Sequence, residues 1–142
     1  MKKLKIWTLI LHSFIFIIHK NTISVMLLTE YFTLDRWLSS SGFSDSFANL
    51  LLGASLLSLL GQLLILLSIK IEKVVTKHVI GILGLISLWF SFRYLAYPSV
   101  NNTDFHTWAF WSGVPFIIAS ILLYHEQYII LKDIFKTKKK SS

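Results

Sequence analysis

The hydrophobic positions of this chain fall in long unbroken blocks separated by short polar segments. The longest block, Phe47 to Ile69, has 23 residues without a charge and lies between Asp45 and Lys70. A helix of that length reaches about 35 Å, enough to cross the hydrocarbon of a bilayer. It is apolar on every side rather than along one stripe, which excludes an ordinary surface helix. Similar blocks precede and follow it, and the pattern predicts spans over residues 4–28, 47–69, 78–97 and 107–130. The fold class is therefore an all-α membrane protein, a four-helix transmembrane bundle forming one domain over residues 1–142.

The segments between the blocks refine this layout. The first block is two apolar runs, Ile6 to Ile18 and Ile23 to Leu28, around the polar break His19-Lys20-Asn21-Thr22. It carries no small-x-small cleavage site, so it reads as a retained span with a break in its outer half. The following loop, TEYFTLDRWLSSSGFSD, is rich in aromatic and aliphatic residues. It predicts a short interfacial helix over residues 30–40, stopped by Gly42. The third span ends at Pro98. The fourth opens with Trp108 and Trp111 and closes with Tyr124 and Tyr128, as aromatic belts at two interfaces would. Pro115 should kink that span. The tail over residues 132–142 is lysine-rich and expected to be disordered.

Charge fixes an orientation. The net charge is +7, and the lysines cluster in three places: Lys2, Lys3 and Lys5; Lys70, Lys73 and Lys77; and five in the final tail. The alternate segments hold Glu30, Asp35, Arg36 and Asp45, and then Asp104. Basic residues on alternate sides place both termini in the cytoplasm. Usage rich in Ile, Lys, Phe and Asn points to a bacterial inner membrane. Lysines gathered at span ends, without aromatic platforms between them, argue against nucleic acid as a partner. The bilayer is the expected partner, with a homo-oligomer or a larger membrane complex. The absence of cysteine excludes disulfides, thiolate metal sites and thiol redox chemistry.

Small residues mark the helix contacts expected in lipid: Ala54, Ser58 and Gly61 with Gln62; Gly84, Ser87 and Ser91; Ala109, Ser112 with Gly113, and Ala119 with Ser120. The first span instead carries a polar stripe of Thr8, His12, His19, Thr22 and Met26. Counted from the basic ends, His12 and Glu126 fall at matching depth, about 10 Å into the bundle. Such a pair could relay protons or join two helices. His125 is also at that depth, but lies about 100° around the helix from the small-residue face, which disfavours a bis-histidine haem. A second polar group, His19, Lys20, Asn21, Asn49 and Arg93, falls in the outer half, where snorkelling competes with an outward pocket. No nucleophile–base pair, metal-spaced cluster or phosphate loop occurs, so neither enzymatic activity nor a metal or other cofactor is expected. The expected function is a non-enzymatic accessory protein with a lipid-like ligand. The alternatives are a small homo-oligomeric transporter or channel, and a haem or redox subunit.

Overall fold

The structure, a computed structural model, describes residues 1–19, 22–38, 46–96 and 103–140. It contains, in order, α1 (Lys2–Ser13), strands β1 (Phe16–His19) and β2 (Thr22–Val25), α2 (Met26–Leu38), α3 (Ser46–Lys70), α4 (Val74–Ala96) and α5 (Thr103–Lys140). Three helices are long and apolar enough to cross a membrane, over Leu51–Lys70, Val74–Ala96 and Thr107–Ile134. Gly42 and Pro98, expected as stop signals, lie outside the described residues.

The helices α3 and α4 form the tightest pair in the fold. A Cβ at Gly61 would lie 2.8 Å from the Gly84 carbonyl, and one at Gly84 would lie 2.9 Å from the Gly61 carbonyl. Only glycine at both positions lets the two backbones approach this closely, which is how helices gain packing energy in lipid. Ser91 adds a hydrogen bond to the Ala54 carbonyl at 2.8 Å. On the other side, the Trp89 indole N–H donates to Ser120 Oγ at 2.8 Å, and Phe92 packs over Gly113. Of the predicted small residues, Ala54, Gly61, Gly84, Ser91, Gly113 and Ser120 thus make contacts among α3, α4 and α5, whereas Ser58, Gln62 and Ser112 face the N-terminal elements. The core between them is apolar, with Ile65, Leu85, Leu88, Leu95, Phe116 and Leu123 fully buried.

The N-terminal block departs from the expected continuous helix over residues 4–28. α1 stops at Ser13, and an antiparallel hairpin follows, pairing Phe16 with Val25 and His19 with Thr22. Aromatic and β-branched residues dominate this stretch and fit a pleated surface better than a helix. The Met26 amide donates to the Ile15 carbonyl at 2.9 Å, so α2 starts beside the point where α1 has ended. In addition, the Phe16 amide donates to Ser112 Oγ on α5 at 2.9 Å.

Contacts to α3 show how the two short helices run. Lys5 meets Ser68 and His12 meets Ser58, so α1 lies antiparallel to the C-terminal half of α3. Further along, Glu30 meets Ser58 and Gln62, while Thr33 meets Ser55, so α2 continues the same direction along the N-terminal half. α1 and α2 therefore lie in series beside one long helix. The helix expected over residues 30–40 exists as α2, but its polar side is packed into the bundle against α3. The tail also differs from expectation, since α5 continues as helix to Lys140. That stretch has no proline or glycine to break it, and lysines suit the negative end of a helix dipole.

Candidate functional site

α1 and α2 are amphipathic with the polar side inward. In α1 the buried side chains are Lys5, Thr8 and His12, while Ile6, Trp7, Ile10 and Phe14 are exposed. In α2, Thr29, Glu30 and Thr33 are buried, while Leu27, Leu28, Tyr31, Phe32 and Leu34 are exposed. Asp35, nearer the end of α2, is exposed. Helical spacing produces both faces, since positions three or four apart share a side. Their meeting line is the middle of α3, where Ser58 and Gln62 stand one turn apart.

The result is a buried network around one hydroxyl. Ser58 Oγ donates to Glu30 Oε1. It lies 3.2 Å from His12 Nδ1 and accepts from Gln62 Nε2 at 3.2 Å. Gln62 also bridges both carboxylate oxygens of Glu30, at 2.9 and 3.1 Å. Glu30 is only 2% exposed and His12 not at all. Because the single Ser58 proton is directed at Glu30, His12 meets Ser58 as a donor from Nδ1, which leaves Nε2 as the bare nitrogen. That Nε2 is buried without a hydrogen-bond partner, and the ring stands edge-on to Phe116 at a centroid distance of 4.8 Å. Thr33 with Ser55 (3.5 Å) and Thr29 with Ser24 (3.4 Å) extend the polar contacts along α2.

The sequence-predicted pair is not brought together. His12 faces Ser58, while Glu126 is 48% exposed and its Oε2 lies 4.0 Å from the Met1 amine. Heptad spacing from Ser112 and Ala119 suggested an inward Glu126, but that series runs along the flank of the inward face, from half-buried Ser112 to exposed Glu126. The inward side of α5 instead follows Ala109, Gly113, Phe116, Ser120, Leu123 and Gln127. His125 is exposed, so it does not face His12 across the bundle.

The outer group spreads over several elements and beyond the described residues. Arg93 is exposed on α4, and His19 belongs to β1. Asn49 belongs to α3, whereas Lys20 and Asn21 lie outside the described residues.

Sequence reasoning placed Glu30 at the start of an interfacial helix, outside the spans, because it ended the first span at Leu28. Two signals pointed elsewhere: the polar break at residues 19–22, and the adjacent turns Ser58 and Gln62, which in lipid require a polar partner. No group of three or more His, Cys, Asp or Glu side chains suited to a metal occurs among the described residues. Comparisons with protein families, curated proteins and solved structures returned no match.

Proposed function

We propose that this chain is a small multi-pass membrane protein that moves protons through a His12–Ser58–Glu30 relay. In this reading α1 and α2 together make one broken crossing, giving four crossings in all. Both termini are cytoplasmic, as the lysine distribution supports, and the membrane is a bacterial inner membrane. The observation that carries the reading is that one hydroxyl serves both ionisable groups midway along α3, beside the break between α1 and α2. Ionisable side chains at such depth are expensive, and broken helices are where membrane proteins build ion sites.

The relay balances. A proton adding to the bare His12 Nε2 makes an imidazolium. Its Nδ1 proton passes to Ser58 Oγ as the Ser58 proton passes to Glu30 Oε1. Neutral imidazole, an intact hydroxyl and a protonated carboxyl remain, and the proton has moved from the α1 side to the α2 side. Gln62 stabilises the carboxylate before transfer by donating to both oxygens.

The test is proton flux into liposomes holding the purified protein and a pH-sensitive dye. Flux should appear under a potassium–valinomycin potential and fall at least tenfold in Ser58→Ala, Glu30→Gln and His12→Phe. Wild-type liposomes no leakier than empty ones would refute the reading.

A second reading, the non-enzymatic accessory protein, is favoured by one observation. Leu56, Leu60, Leu63 and Leu67 form an exposed stripe on α3 at alternating spacings of four and three. That spacing suits a partner helix as well as it suits lipid. With no native cysteine, Leu63→Cys should form a disulfide dimer in membranes if the stripe is a homo-oligomer contact.

A further inference from the structure

A second buried polar cluster lies at the end of the bundle where α3 gives way to α4, and the relay does not use it. Lys5 on α1 is 1% exposed, and its Nζ donates to Ser68 Oγ at 2.7 Å and to the Ser68 carbonyl at 3.5 Å. The Ser68 hydroxyl proton is committed to the Ile65 carbonyl at 2.6 Å. His78, one turn into α4, is 3% exposed and its Nδ1 has no partner. Lys5 and Lys77 both lie within electrostatic reach of this ring. One turn further along the same face of α4 is Gly81, and the Gln127 side-chain amide lies against it. Gln127 is fully buried, with neither amide atom hydrogen-bonded.

These groups are mostly donors. Lys5 brings three N–H bonds, of which Ser68 takes two, Gln127 brings two, and His78 one in its Nδ1–H form. The acceptors to hand are the Ser68 oxygens and the amide oxygen of Gln127. The charge is also one-sided, because among the described residues no carboxylate forms an ion pair with Lys5. Glu126, the residue before Gln127 on α5, is directed at the Met1 amine. A buried ammonium and buried unpaired N–H groups each cost free energy unless something accepts from them.

We infer that Lys5, His78 and Gln127 form a binding site for one small monovalent anion of the halide class. A halide needs no particular lone-pair direction, accepts from several donors at once, and supplies the missing negative charge. The near-complete burial of all three side chains favours a small bare ion over a bulky headgroup. The absence of a side chain at Gly81 gives the Gln127 amide its place, since a Cβ there would collide with it. The inference stands on burial and unmet donors at this end, so it is independent of the proton relay.

The test uses the full chain in detergent, with thermal unfolding followed by tryptophan fluorescence. Sodium chloride, bromide, gluconate and phosphate are titrated at constant ionic strength. Chloride and bromide should raise Tm with saturating, concentration-dependent behaviour, as a ligand of the native state must. Gluconate should not. Gln127→Leu should weaken the halide dependence at least tenfold, and Lys5→Met should abolish it. Should Lys5→Met fail to fold, wild type and Gln127→Leu still decide the matter. A flat response to halide in wild type would overturn the inference, as would a halide response unchanged in Gln127→Leu. A response to phosphate alone would overturn it too, transferring the site to phosphate groups.

Discussion

Replacing Ser58 with alanine removes one oxygen from a point where three side chains meet. Glu30 keeps Gln62 as a donor to both of its oxygens, at 2.9 and 3.1 Å, and so remains partly satisfied. His12 loses the partner of Nδ1 while Nε2 already has none, leaving the ring wholly unpaired inside the bundle. A stranded buried polar group costs about 1–3 kcal/mol. Coupling between polar groups on membrane helices averages about 0.6 kcal/mol, because the unfolded chain in detergent also finds partners. Ser58→Ala should therefore destabilise the protein by about 1–2 kcal/mol, mostly through His12. The double mutant Ser58→Ala/His12→Phe should recover at least half of that, since the orphan is gone and Phe packs on Phe116. Equilibrium unfolding in mixed detergent–SDS micelles, followed by helical circular dichroism, measures all four corners of the cycle. Ser120→Ala, which breaks the bond from Trp89 on a different helix pair, is the control. Additive effects of Ser58→Ala and His12→Phe would mean that the shared hydroxyl does not couple α1 to α3.

Other expectations follow from the same geometry. His12→Leu and Glu126→Leu should be additive within about 0.5 kcal/mol in the same assay, because the two residues engage different partners. Gly84→Leu should cost about 1–3 kcal/mol by forcing α3 and α4 apart, whereas Gly53→Ala, with nothing within 4 Å of the added carbon, should be neutral or stabilising. Reporter fusions after residues 40, 72, 102 and 142 should read outside, inside, outside and inside, and an external C-terminus would reject the orientation.

The three long helices were legible in the sequence because burying or exposing a 20-residue apolar block leaves few alternatives. Their contact faces were legible as well, since close helix approach in lipid needs small residues and few others serve. Ala54, Gly61, Gly84, Ser91 and Gly113 therefore stood out without any structure. The cluster of His12, Glu30, Ser58 and Gln62 was harder to read. Its members come from a helix that stops early, a helix that starts late and the middle of a third, so no single period links them. Glu126 shows the opposite error: a spacing of seven looked regular, yet the inward face runs one position over, through Gly113, Ser120 and Gln127. Side chains such as Lys5 and Gln127 gave no local signal, because each becomes unusual only when neighbouring helices close over it.

The break between α1 and α2 shows why the N-terminal block cannot be read by hydrophobicity alone. As one continuous helix over residues 4–28, it would cross the bundle in 25 residues and leave Glu30 beyond its end. The hairpin takes residues 16–25 out of that count, and α2 then begins beside the end of α1, next to the middle of α3. Glu30 is displaced along the bundle by about the length of the hairpin, from a predicted interfacial position to Ser58. The outward faces decide between the two arrangements: an α2 lying at an interface would turn Glu30 and Thr33 toward water and its aromatic residues inward. Instead Tyr31 and Phe32 are exposed and Glu30 is buried. Hydrocarbon surroundings would favour that inverted pattern, because in water the exposed aromatic and aliphatic surface and the buried carboxylate would both oppose folding. Substituting Tyr31 and Phe32 with aspartate tests the point directly. Insertion should fail if α2 faces lipid, and the protein should tolerate both changes if that face meets water.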